Sequence, residues 1–198
     1  MPKPITEYER EQIRQSIIKH THRLILDRQG IKNITVDDII RSANMGKSTF
    51  YSIYKSKEIC FCDVLEKHLI EVLQKADLLR QEEMTSEERT VRFFREVYLA
   101  KDSIISFLNP TVIEVLFRKL PPEYNEKKQL LSGGSVIKYA MDGLRYDESQ
   151  AETLNVMFDC IDQVVTNRSI SEQAREEALN YLVQMMVIFF KKNKYSDK

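Results

Sequence analysis

ITVDDIIRSANMGKSTFYSIY, residues 34–54, is the stretch whose reading decides the fold of this chain. Thr35 offers a hydroxyl N-cap with Asp38 three residues on, a capping-box variant that predicts a helix through about Ser42. Ala43-Asn44-Met45-Gly46 reads as a tight turn, and Lys47-Ser48-Thr49-Phe50-Tyr51-Ser52-Ile53-Tyr54 as a second short helix. Phe50 and Tyr54, four apart, fall on one face and pack inward, while Lys47, Ser48, Tyr51 and Ser52 face out. Two short helices joined by a three- to four-residue turn are what a helix-turn-helix requires, because its second helix must project into a major groove about 12 Å wide.

Outward from this motif the chain reads as helices separated by capped turns, with only five Gly and five Pro. Residues 6–29 place Ile13, Ile17, Leu24 and Ile25 on one stripe and stop at Gly30, expected in the left-handed conformation that ends helices. Ser56 caps a long fourth helix whose apolar positions, Cys62, Leu65, Leu69, Val72, Ala76 and Leu79, step by three and four, which predicts burial along one face. Thr85 with Glu88 opens a fifth helix, and Asn109-Pro110 and Pro121-Pro122 bracket a short sixth containing Val112, Ile113, Leu116 and Phe117. A seventh is expected from near Glu123 to Gly143. Ser149 with Glu152, and Ser169 with Glu172, open helices that run to about Val165 and Lys192. The expectation is an all-α protein of about nine helices.

Composition fits a globular protein: of 198 residues, 42% are apolar and 30% charged. The formal net charge is zero, yet residues 1–58 hold eleven Lys and Arg against seven Asp and Glu, and residues 59–198 hold nineteen against twenty-three. A partner rich in phosphate is therefore expected at the N-terminal part. Cys60, Cys62 and Cys160 form neither a CxxC nor an even set, so no disulfide framework or zinc site is expected. His20 and His22 diverge by about 200° on a helix and, with His68, lack a completing ligand, so no metal is expected. The N-terminus lacks the apolar core of a signal peptide, and the longest apolar run, Leu182 to Phe190, contains Gln184 and is too short to span a bilayer. A cytoplasmic protein with no membrane partner is expected. There is no nucleophile elbow, HExxH or dinucleotide fingerprint, and Ser132-Gly133-Gly134-Ser135 lacks the Lys-Ser/Thr of a phosphate loop, so no enzyme and no cofactor are expected. Phe93, Phe94, Tyr98, Phe107, Phe117, Tyr139 and Phe158 are read for the most part as core aromatics, with the lining of a ligand cavity as the alternative.

Ile34 to Ile39, followed by Ala43-Asn44-Met45-Gly46-Lys47-Ser48-Thr49-Phe50-Tyr51-Ser52-Ile53-Tyr54-Lys55-Ser56-Lys57-Glu58, resembles the DNA-binding signature of the TetR family. The T-V-x-x-I helix, the short turn, T-[FL]-Y and S-K-E stand at that family's spacing over residues 10–65. Leu131-Ser132-Gly133-Gly134 with the apolar stretch to Gly143 is similar to a paired-glycine helix of some members. Asn44 and Gly46 depart from the family's usual Gly and Ser. The resemblance implies a three-helix DNA-binding domain at residues 1–56 and a larger ligand-binding and dimerisation domain at residues 57–198. It implies that Thr35 and Lys57 contact phosphate and that Lys47, Ser48, Thr49, Tyr51 and Ser52 line the groove-facing helix. The implied function is a transcriptional regulator, a repressor under a small-molecule effector; the alternative is a C-terminal domain that docks another protein. The implied partners are a double-stranded DNA operator with an inverted repeat and a second copy of the chain; the apolar faces of the last two long helices predict that the homodimer pairs through them.

Overall fold

A computed structural model describes residues 5–98, 100, 102–108, 110–131, 148–167 and 169–193. Among these residues the chain forms nine α-helices and no strand: α1 (Glu7–Asp27), α2 (Val36–Ser42), α3 (Lys47–Ile53), α4 (Lys57–Arg80), α5 (Ser86–Tyr98), α6 (Pro110–Arg118), α7 (Asn125–Leu131), α8 (Glu148–Thr166) and α9 (Glu172–Asn193). Single 3-10 turns at Ile105–Phe107 and Pro122–Tyr124 precede α6 and α7.

Three helices open on reciprocal caps of one kind. Thr6 with Glu9, Thr35 with Asp38 and Thr85 with Glu88 each pair a hydroxyl with an amide three residues on, and a carboxylate with the Thr amide. Ser56 caps α4 through the Ile59 amide at 3.3 Å, as its position predicts. Two expected caps move. The α9 cap is Ser171, which accepts from the Ala174 amide at 3.2 Å, while Ser169 turns to Asn167 Oδ1. Helix α8 begins at Glu148, so Ser149 lies inside its first turn. The end of α1 also differs from expectation. Gln29, at φ 53°, takes the left-handed position, and Gly30 follows at φ 143°. The Gly30 amide reaches back to the Ile25 carbonyl at 3.0 Å and the Gln29 amide to Leu26 at 3.2 Å, so the 6→1 bond needs the left-handed residue one place earlier. The expected extent of the seventh helix to Gly143, and the paired glycines, lie outside the described residues.

The chain divides into two compact units, Met1–His68 with Pro110–Leu131, and Leu69–Asn109 with Ser132–Lys198. In the first, α1, α2 and α3 pack on one another around Ile17, Ile25, Ile34, Ile39 and Phe50, all fully buried. Ile59 to Val64 at the start of α4 is buried on every side, Asp63 included, which a one-face reading of that helix does not anticipate. Leu65 is only half-buried, and the expected stripe resumes at Leu69, Val72, Ala76 and Leu79. The second unit gathers those last three residues with Phe93, Phe94, Leu154, Ile161, Leu179 and Met186. Phe94 stacks on Phe158, so Phe93, Phe94 and Phe158 pack the core as expected, while Tyr139 and the Tyr98 side chain lie outside the described residues. No helix among the described residues is long and apolar enough to cross a membrane.

Candidate nucleic-acid interface

The turn of the helix-turn-helix is set by Asn44 rather than by its glycine. Asn44 stands at φ 50°, the Met45 amide bonds the Ile40 carbonyl at 2.9 Å, and the Asn44 amide bonds Arg41 at 3.3 Å. This is the closure that ends α1, with Asn supplying the left-handed residue its short polar side chain tolerates. Gly46 has an extended backbone at φ −80°, and an added Cβ would meet nothing nearer than Ser48 Oγ at 3.8 Å. Its consequence is different: α3 starts without a side-chain cap. A seven-residue helix with no cap is marginal by itself, so α3 is held by its surroundings. Phe50 and Tyr54 anchor its inner face with ring centroids 5.7 Å apart, and Arg10 of α1 donates to the Ser52 carbonyl at its C-terminal end at 2.7 Å.

Of the seven residues that resemblance assigns to DNA, five stand on α3. Lys47, Ser48, Tyr51 and Ser52 are exposed and Thr49 half-buried, opposite the buried Phe50. Lys47 Nζ pairs with Asp37 Oδ1 at 3.2 Å. The Ser52 hydroxyl donates to the Thr49 carbonyl at 2.7 Å, which leaves its lone pairs outward as acceptors. Thr35 and Lys57 stand apart from α3, at the starts of α2 and α4. The Thr35 hydroxyl accepts from the Asp38 amide at 3.1 Å and donates to the Asp38 carboxylate at 2.6 Å, so its proton is committed to the cap. Those bonds, with Arg28 beside them, hold the Asp38 carboxyl down to about 2. Lys57 Nζ donates to the Ile34 carbonyl at 2.8 Å and lies 6.0 Å from the Phe61 ring centroid, which ties the start of α4 to the entry of α2. Two of its three N–H donors remain for another acceptor.

Sequence reasoning missed the charged centre behind these helices. Asp63, 6% exposed, receives Arg14 Nε and Nη2 on Oδ2 at 3.0 and 2.7 Å, the Tyr54 hydroxyl on the same oxygen at 3.0 Å, and Lys127 Nζ on Oδ1 at 3.2 Å. Lys127 also pairs with Glu66. One carboxylate thus joins α1, the end of α3, α4 and α7. Burial opposes the Arg14 charge, but the hydrogen bond and charge of Asp63 outweigh it and raise its pKa; burial, with Asp63 beside it, raises Tyr54. The sequence carries a signal for this centre, a lone acid inside the apolar run Ile59-Cys60-Phe61-Cys62-Asp63-Val64, since a buried charge requires partners. Burial pushes the Cys60 and Cys62 thiols up to about 12 and about 11, so both stay protonated at neutral pH. His22 and His68, far apart in sequence, lie with ring centroids 5.7 Å apart, and no cluster of three or more metal-ligating side chains occurs among the described residues.

Two solved structures share this fold. A TetR transcriptional regulator from Streptococcus agalactiae 2603V matches over 90% of this chain and 96% of its own, at 19% identity and a TM-score of 0.53. A protein of Mesorhizobium loti MAFF303099 assigned to the TetR family of transcriptional regulators matches over 91% and 97%, at 15% identity and a TM-score of 0.53. No family model and no curated protein matches the chain. The chain therefore has the all-helical fold of TetR regulators, as the motif at residues 34–58 led us to expect.

Proposed function

We propose that this protein is a cytoplasmic, homodimeric, sequence-specific DNA-binding regulator, a repressor whose operator affinity is set by a small-molecule effector in the segment 57–198. The observation that carries the reading is α3. It is a short helix with no cap of its own, buried on Phe50, pinned at its C-terminal end by Arg10, and open along Lys47, Ser48, Tyr51 and Ser52. Side chains that donate and accept hydrogen bonds on an exposed face of a helix following a tight turn match what the major groove displays. In this reading α3 reads bases, Lys57 meets phosphate with its two remaining donors, and Thr35 acts there chiefly as a cap, leaving phosphate to the amides beside it. Helix α4 runs unbroken from Lys57 to Arg80 and contributes residues to both compact units, which makes it the element through which an effector would shift the population of DNA-competent molecules.

Selection of bound fragments from the host genome, followed by footprinting, tests this. Recovery of one enriched sequence with dyad symmetry is the expected result, because two equivalent reading helices across a two-fold axis require an inverted repeat. Unselective recovery, or a footprint without dyad character, would contradict it.

A further inference from the structure

Asp37 and Asp38 are adjacent acids at the start of α2, and the structure gives them different tasks. Asp38 closes the cap on Thr35 and pairs with Arg28. Asp37 takes no part in that cap. Its partner among the described residues is Lys47, whose Nζ lies 3.2 Å from Oδ1 across the turn, and both side chains are more than half exposed, 61% and 58%. Asp37 also lines an open concavity over the turn with Ile40, Arg41, Asn44, Met45 and Gly46. A carboxylate beside the reading helix repels the phosphates that a DNA-binding surface must approach.

We infer that Asp37 is a specificity-determining residue for DNA reading, acting by pairing with Lys47; this rests on the function proposed above. The pair is net neutral, so it has little attraction for phosphate charge as such. The Lys47 ammonium nevertheless keeps two N–H donors beyond the one given to Asp37, and these suit the neutral O6 and N7 acceptors of a guanine edge. The carboxylate thereby removes Lys47 from sequence-independent attraction while aiming its remaining donors at a base. Without Asp37, the same lysine becomes a free cation that any phosphate satisfies.

The test is a double-mutant cycle on the full chain. It uses the duplex recovered by genomic selection and a scrambled duplex of equal composition, each titrated over a salt series. Asp37→Asn is expected to bind scrambled DNA several-fold more tightly, with a salt slope steeper by about one per subunit. Operator affinity changes little, so operator preference falls about fivefold. Asp37→Glu, which retains a carboxylate, keeps most of the preference. In the Lys47→Gln background, Asp37→Asn tightens both duplexes alike and leaves the preference unchanged. If Asp37→Asn in the otherwise native chain tightens both duplexes equally, or if its effect on preference is the same with and without Lys47, the inference is overturned. A native chain that prefers no duplex at all would instead overturn the DNA-reading function itself, so the two failures are distinguishable.

Discussion

Gln29 is the residue whose backbone most resists its own chemistry. A side chain with no short polar group occupies φ 53°, a conformation that costs an L-residue about 1–2 kcal/mol, while Gly30 stands immediately after it. Gln29→Gly should therefore raise stability by about 1 kcal/mol, measured as a higher denaturation midpoint with unchanged slope. Asn44→Gly should gain less, because asparagine tolerates φ 50°. A destabilised Gln29→Gly would contradict a left-handed Gln29 at the end of α1. Asp38 sets a pH dependence at the same scale. Its folded carboxyl titrates at about 2, below its ordinary value of 3.8, so its contribution is complete above about pH 4 and disappears as pH falls toward 2. Thermal melts of the native chain and Asp38→Asn should differ most above pH 4 and converge near pH 2; a gap that is constant with pH would contradict the cap. Thr35 and Asp38 were legible in sequence because a cap needs only local spacing. Gln29 was hidden by the glycine beside it, and Ser171 by Ser169, whose Glu172 completes the capping-box spacing that Ser171, followed three residues on by Ala174, lacks.

Among the elements, the start of α4 shows where periodicity stops being informative. From Leu69 onward one side of the helix is buried and the three-four spacing finds it, whereas Ile59 to Val64 is enclosed and the stripe has no edge to detect. The one polar residue in that enclosure, Asp63, holds α1, the end of α3 and α7 through Arg14, Tyr54 and Lys127, contacts 49, 9 and 64 residues apart in sequence. No local pattern can pair residues at such separations. Asp63→Ala leaves two cations and a buried hydroxyl without their shared acceptor. Breaking a buried pair costs about 3–5 kcal/mol, and the lower end applies because the Arg14 and Lys127 side chains keep 37% and 32% exposure. Urea denaturation should show that loss. A change below about 0.5 kcal/mol, the scale of an ordinary surface substitution, would mean the centre does not hold these helices.

At the scale of the whole molecule the helix-turn-helix made the architecture legible, since the same fold recurs in regulators only 19% and 15% identical to this chain. A ligand site was not legible in the sequence, because helical cores and ligand cavities draw on the same apolar side chains. The proposed homodimer rests on α9, where Tyr181, Met185 and Ile188 recur every four and three residues and stay 64%, 54% and 53% exposed. Such a stripe matches a seam between helices, so a Tyr181→Glu, Met185→Glu double variant should sediment as a folded monomer at concentrations where the native chain is a dimer. A native monomer at micromolar concentration would contradict this. The central claim, that α3 reads bases and the start of α4 only anchors, is tested most directly by titrating Lys47→Ala and Lys57→Ala against operator and scrambled duplex over several salt concentrations. Lys47→Ala should cost about 1–3 kcal/mol on the operator and much less on scrambled DNA. Lys57→Ala should weaken both alike and lower the salt slope by about one per subunit, two per dimer. Loss of operator preference in Lys57→Ala, with preference intact in Lys47→Ala, would contradict the account.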